Sequence, residues 1–172
     1  MAENAQAPGR VFSLGYARRT LDRFVEVCRE HGIEYLLDVR TQPYSRYRPE
    51  FCKEALSAAL PGHGIRYLFM GQQLGGKLAH TGCVHSDGSP DYRSRAQQLD
   101  FRQGLDRVIK AVELGHRVAL MCAEMEADGC HRSRLLGPPL LKHGIDIAHI
   151  GKDDRVCLQS RLVPPVEQMS FL

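Results

Sequence analysis

The sequence predicts a single three-layer α/β domain, with a mostly parallel five-stranded sheet and helices on both faces. Three observations lead there. Short apolar runs alternate with stretches whose apolar residues recur at helical spacing, the pattern of successive β–α units. The clearest run, Ile33 to Val39, is almost continuously apolar rather than alternating, so both faces of that strand are covered. Polar and reactive residues gather where the runs stop, and in a parallel sheet those ends share one edge.

Taken in order, residues 1–10 are small and polar and read as a disordered lead-in. Val11 to Gly15 is a short first strand. Thr20 is placed to cap a helix in which Leu21, Phe24, Val25 and Cys28 share a face, and His31-Gly32 ends it. Ile33 to Val39 is the second strand. It spills into a segment from Thr41 to Pro49 whose two prolines exclude regular structure. Phe51, Ala55, Leu56, Ala59 and Leu60 form the next helical stripe, stopped by Pro61-Gly62. Ile65 to Met70 is the third strand.

From Gly71 to Gln98 periodicity is lost, and the segment reads as a long loop excursion off the sheet. Phe101, Leu105, Val108, Ile109 and Val112 restore a strong helical stripe, closed by Gly115. Arg117 to Met121 is the fourth strand. A helix begins near His131 and is interrupted or kinked at Gly137-Pro138-Pro139. Ile145 to Ile150 is the fifth strand. Residues 11–151 thus make one domain, and 152–172 extend it, with Pro164-Pro165 in an arm or tail.

The 172 residues carry a net charge of +3, with 43% hydrophobic and 25% charged residues. That balance is ordinary for a globular protein and neither requires nor excludes a polyanionic partner. No apolar run approaches the roughly 20 residues that span a bilayer. No secretory signal core opens the chain, so a cytoplasmic location without membrane contact is expected. The six cysteines follow no disulfide framework and read as reduced thiols.

The expected site follows from the shared edge. It collects Gly15 and Tyr16, Asp38 and Arg40, Tyr67 with the loop after Met70, Cys122 and Glu124, and His149. Cys130-His131-Arg132 arrives at a helix start, where backbone N–H groups favour an anion, Arg132 adds a bidentate fork, and a thiol is acidified. Asp38 or Glu124 is the expected general acid or base, and Cys122 or Cys130 the nucleophile or a metal ligand. The rings and guanidinium groups of Tyr44 to Arg48 suit stacking on bases and pairing with phosphates.

Several sharper motifs fail. Neither Cys122 nor Cys130 has an arginine six residues on, and there is no glycine-rich phosphate loop. Cys122-Ala123-Glu124 echoes part of a zinc deaminase motif whose second half is missing. A thiolate-rich metal site at Cys122, Glu124, Cys130 and His131, or a set at His80, Cys83 and His85, stays open.

Together these residues resemble domain-of-unknown-function family 488. The resemblance spans roughly residues 11–151. It rests on Leu14-Gly15-Tyr16, on Asp38-Val39-Arg40 with Pro43 and Ser45, and on Tyr67 with Leu74-Gly75-Gly76. Cys122 with Glu124, Cys130-His131-Arg132 and His149-Ile150 complete it. It implies a compact α/β fold and no settled reaction. Tyr16-Ala17 stands where the family usually has His-Ser or His-Gly, and Gly137-Pro138-Pro139 breaks a helix that usually runs on.

The resulting expectation is an enzyme acting on a phosphate-bearing ligand, a nucleotide or nucleic acid. Asp38, Glu124, Cys122 and Cys130 would carry the chemistry. Gly15, Tyr16, Arg40, Ser45, Tyr67, Gly75, Gly76, His131, Arg132 and His149 would form the anion-binding surface. The alternatives are a non-catalytic nucleotide or nucleic-acid binding module and a thiolate/His metal-binding protein. No cofactor and no oligomeric state is indicated.

Overall fold

A computed structural model describes residues 9–162; residues 1–8 of the expected lead-in and 163–172 of the tail, including Pro164-Pro165, lie outside them. The strands are β1 (Arg10–Gly15), β2 (Tyr35–Asp38), β3 (Arg66–Phe69), β4 (Arg117–Cys122), β5 (Ala148–Ile150) and β6 (Val156–Leu158). They form one sheet in the order β3-β2-β4-β1-β5-β6. The first five are parallel, and β6 runs antiparallel to β5. The sixth strand goes beyond the five expected. It is only three residues long, too short for a periodic pattern to show in sequence.

The helices are α1 (Leu21–Glu30), α2 (Lys53–Ala59), α3 (Gly71–Leu74), α4 (Tyr92–Gln97), α5 (Leu99–Glu113), α6 (Gly137–Lys142) and α7 (Gln159–Leu162). Alternation within each strand sends side chains to two cores. Phe12, Leu14, Leu36, Ala119 and Met121 meet Phe24, Val25, Val27 and Cys28 of α1 and Leu56 of α2 on one face. Val11, Leu37, Val118, Leu120 and Ile147 meet Phe101, Leu105 and Val108 of α5 and Leu140 of α6 on the other. Each fully buried Leu or Phe contributes about 1.5–3 kcal/mol. Thr20 caps α1 as expected, its hydroxyl accepting from the Arg23 N–H at 3.1 Å.

Two local expectations change. The excursion over 71–98 is built of pieces: α3, a 3-10 turn at Ala79–Thr81, a bridge between Val84 and Pro90, and α4. The helix from His131 opens as a π turn over Arg132–Leu136 and then tightens into α6. Gly137-Pro138-Pro139 is therefore the junction of two helical windings rather than a break. Pro138 has no N–H with which to continue the wider ladder. The Ser133 carbonyl instead accepts from Gln159 Nε2 at 3.2 Å. Among the described residues, no helix is long and apolar enough to cross a membrane.

Strand order sets where a crevice opens. The connection leaving β1 passes over β4 to β2, and the connection leaving β4 passes over β1 to β5. The two depart in opposite directions and on opposite faces, so the carboxyl ends of β1 and β4 lie at a switch point, where α/β sheets leave room for ligands.

Candidate functional site

The cleft at that point has a volume of about 320 Å³. Tyr16 follows β1, Arg40 follows β2, and Cys122 ends β4. Glu124 and Cys130-His131 come from the loop after β4, and Gly76 from the loop after β3. Seven of the residues expected at the sheet edge thus meet around one hollow. Thr41, Gln42, Tyr44, Lys77 and Tyr92 also line it. Of these, only Tyr44 stood out in the sequence, as part of a ring-and-guanidinium segment.

Two close approaches build the cleft. The loop after β4 folds back over Gly15, where a Cβ would lie 1.7 Å from the Glu124 carbonyl oxygen. The loop after α3 passes so near His131 that a Cβ on Gly76 would lie 2.6 Å from its ring. Gly15 therefore shapes the site without lining it. Gly75 does likewise, packed on Thr41.

At the floor, Cys130 Sγ has three polar neighbours. Cys122 Sγ lies at 3.5 Å, His131 Nδ1 at 3.6 Å and Arg132 Nε at 3.5 Å. His131 Nε2 faces the Val39 carbonyl at 3.2 Å. That carbonyl can only accept, so Nε2 carries a proton and Nδ1 is left toward the sulfur. The Cys122 hydrogen bond, then His131 and Arg132, hold the Cys130 thiol far below its usual range. Cys122 moves the opposite way, raised by that same hydrogen bond and by burial. The pair therefore shares its charge unequally, with Cys130 the thiolate and Cys122 the thiol. Glu124, at the mouth, is pushed up by desolvation and by the charge on Cys130.

Asp38 and Arg40 form one unit, of which only Arg40 reaches the cleft. Asp38 is fully buried. Its Oδ1 accepts from the Arg40 backbone N–H at 3.1 Å and from Nε at 2.9 Å. Its Oδ2 accepts from Arg40 Nη2 at 2.6 Å and from the Tyr67 hydroxyl at 2.5 Å. Burial and the Asp38 carboxylate push the Tyr67 phenol up, so it stays a donor. Arg40 Nη2 also reaches the Phe51 carbonyl at 2.8 Å, and Nη1 reaches the Tyr16 hydroxyl at 3.2 Å. Tyr16 stacks on Phe51 with centroids 4.5 Å apart. Asp38, expected as a general acid or base, has both oxygens engaged beneath the cleft, where they orient Arg40. Tyr67 stands behind Asp38.

Arg132 also lies beneath the cleft. Its expected fork toward a ligand is turned inward and is fully buried. Nη1 donates to Ser13 Oγ at 3.1 Å, and Nη2 to the carbonyls of Glu124 at 2.6 Å and Glu126 at 3.4 Å. It braces the loop after β4 and leaves only Nε for the thiolate.

His149 lies behind Arg132, away from the cleft. Its Nε2 donates to Gln159 Oε1 at 2.7 Å, and its Nδ1 accepts the Ser13 hydroxyl proton at 2.6 Å. Gln159 reaches this position because residue 137 is glycine; a Cβ there would lie 2.3 Å from its side chain. Ser45 also falls outside the cleft, its hydroxyl accepting from the Arg48 N–H at 3.2 Å. Ser13 and Gln159 were not foreseen, although a serine inside the run Val11-Phe12-Ser13-Leu14 is an irregularity that could have flagged it.

Burial lowers the His149 pKa from 6.5 to about 4. Below pH 6.5 the unfolded chain takes up this proton and the folded chain does not, so stability falls as pH drops from 6.5 to about 4. The loss is expected to reach about 3 kcal/mol. Urea unfolding of the wild type and His149→Gln across this window checks it: the variant should lose that slope, and parallel curves would refute the assignment.

Among the described residues, no group of three or more His, Cys, Asp or Glu converges as a metal-binding set. The trio His80, Cys83 and His85 is accordingly not assembled. Residues 20–137 match the model of the family described as "Domain of unknown function DUF488". The chain belongs to the DUF488 family. No curated protein and no solved structure gives a significant match. The matched segment of this DUF488 chain includes every cleft residue named above except Tyr16, and the inner partners Ser13, His149 and Gln159 flank it.

Proposed function

We propose that the chain is an enzyme acting on a phosphate-bearing ligand, a nucleotide or nucleic acid, through a thiolate nucleophile at Cys130. One observation carries the reading: Cys122 and Arg132 each point a donor at Cys130 Sγ on the floor of a cleft, and the His131 ring faces the same sulfur. Such a sulfur is ionised and nucleophilic at neutral pH.

The other cleft groups fit complementary roles. Glu124, its carboxyl pushed up by burial and by the charge on Cys130, is the general acid. Sulfur attacks the electrophilic atom and the bond to the leaving group breaks as Glu124 protonates that group. Water then displaces the sulfur, gives its proton to the Glu124 carboxylate and restores the thiolate. Lys77 and the remaining N–H of Arg40 Nη1 face the anionic part. The rings of Tyr44 and Tyr92 offer flat surfaces for a base.

Alkylation by iodoacetamide tests this. The rate at Cys130 is expected to stay flat between about pH 6 and 9, whereas an ordinary thiol gains roughly tenfold per pH unit below its pKa of about 8.5. ADP is expected to slow it, and Cys130→Ser to abolish it. A rate that climbs to a midpoint near 8.5, or that ADP leaves unchanged, overturns the reading.

One observation favours a second reading. Tyr44 is 69% and Tyr47 86% exposed, and the Arg46 guanidinium lies 5.9 Å from the Tyr47 ring centroid. Such a loop suits docking of single-stranded nucleic acid without turnover. That reading expects salt-sensitive oligonucleotide binding that survives Cys130→Ser.

A further inference from the structure

We infer that Cys122 and Cys130 form a reversible dithiol–disulfide couple, in which a hydroperoxide oxidises Cys130 and Cys122 closes a disulfide onto it. The inference rests on the thiolate reading of Cys130 and adds a second reaction at the same sulfur.

The geometry is nearly that of the product. The two sulfurs are 3.5 Å apart, and a disulfide needs about 2.05 Å, so roughly 1.5 Å separates them from bonding. Side-chain rotation and a small shift of one backbone segment cover that distance. Cys122 ends β4, where its partner across the sheet is Gly15. Cys130 follows an irregular turn that ends in Gly129 at φ +77°. One sulfur is thus held by the sheet, and the other sits on the segment able to adjust. Both line the cleft of about 320 Å³, which admits a molecule the size of a small peroxide.

The two sulfurs also differ in the way such a couple requires. Cys130 receives Arg132 Nε and faces His131 Nδ1, so it is the attacking sulfur. Cys122 keeps its proton, with Cys130 Sγ at 3.5 Å and the Glu124 carbonyl at 3.7 Å to receive it. The Cys130 thiolate attacks the outer oxygen of the hydroperoxide, the O–O bond breaks, and an alkoxide or hydroxide leaves to be protonated by solvent. Cys130 is now a sulfenic acid. Its sulfur no longer bears the charge that held the Cys122 proton. Cys122 attacks it, the S–O bond breaks, and the departing hydroxide takes the thiol proton as water. Two electrons have passed from the sulfurs to the peroxide. A dithiol reductant returns them by exchange. While the disulfide stands, Cys130 is no nucleophile and the cleft is closed to chemistry.

Cys28 is the internal control. It is buried in the core beneath α1, and burial pushes its thiol up to about 12, so it should resist the same treatment.

The test treats the reduced full chain with hydrogen peroxide, followed by peptide mapping under non-reducing conditions. The expected product has lost two hydrogens, links Cys122 to Cys130 and reverts with dithiothreitol. Cys122→Ser should stop at a Cys130 sulfenic acid that dimedone captures. Cys130→Ser should consume thiols about tenfold more slowly or less. Sulfinic acid at Cys130 with Cys122 still free, or equal oxidation rates in wild type and Cys130→Ser, overturns the couple. Flat, ADP-sensitive alkylation without the cross-link would leave the enzyme reading standing and remove the couple. The cross-link without ADP protection would do the reverse.

Discussion

Asp38→Asn is expected to lower stability by about 3–5 kcal/mol, the usual loss when one partner of a buried ion pair is removed. The substitution turns an amide N–H toward Arg40 or Tyr67, where only acceptors serve. It leaves a guanidinium that is 7% exposed without its counter-charge. Tyr67→Phe removes a single hydrogen bond to the same oxygen and should cost about 1.5–3 kcal/mol. The double variant should lose less than the sum, because both changes act on one carboxylate. Urea unfolding of the four proteins measures this. An Asp38→Asn loss within about 1 kcal/mol would mean that the pair is solvated and does not position Arg40.

Arg132→Met should lose a similar amount, about 3–5 kcal/mol. It removes a donor from Ser13 Oγ and from the carbonyls of Glu124 and Glu126, which Arg132 ties together from within. It should also move Cys130 reactivity. With Nε gone, the thiol rises toward its ordinary range, and the flat alkylation profile acquires a pH slope. Arg132→Lys keeps the charge but cannot serve Ser13, Glu124 and Cys130 together. It should fold better than Arg132→Met and recover only part of the reactivity. Wild-type stability with an unchanged alkylation profile in Arg132→Met would show that Arg132 neither braces the loop nor acidifies the sulfur.

The sheet was legible because its strands are apolar runs bounded by glycine or charge. Val118, Leu120 and Ile147 on one face and Ala119, Met121 and Ala148 on the other make such runs unavoidable. Parallel strands then bring their tips together, and that alone placed Tyr16, Arg40, Cys122 and Glu124 near one another. The same logic does not say which polar tips turn inward. Asp38, Arg132 and His149 are as polar in sequence as Arg40 and Glu124, yet all three are buried away from the cleft. Their direction depends on partners far along the chain. Ser13 and Arg132 are 119 positions apart, and Asp38 and Tyr67 are 29 apart. Lys77 and Tyr92 were missed for another reason. They lie in the excursion, where no repeat of apolar residues marks a face.

The segment that defines the family stops at residue 137, yet Arg132 is held through Ser13 and His149 by Gln159, which itself enters the space left by Gly137. Arg19 bolts the same region from the other side, gripping the Gly15 and Gly151 carbonyls and Asp154. The side chains that hold Arg132 in place therefore extend past the matched segment to Gln159. A fragment trimmed at that boundary would leave part of the scaffolding around Cys130 behind.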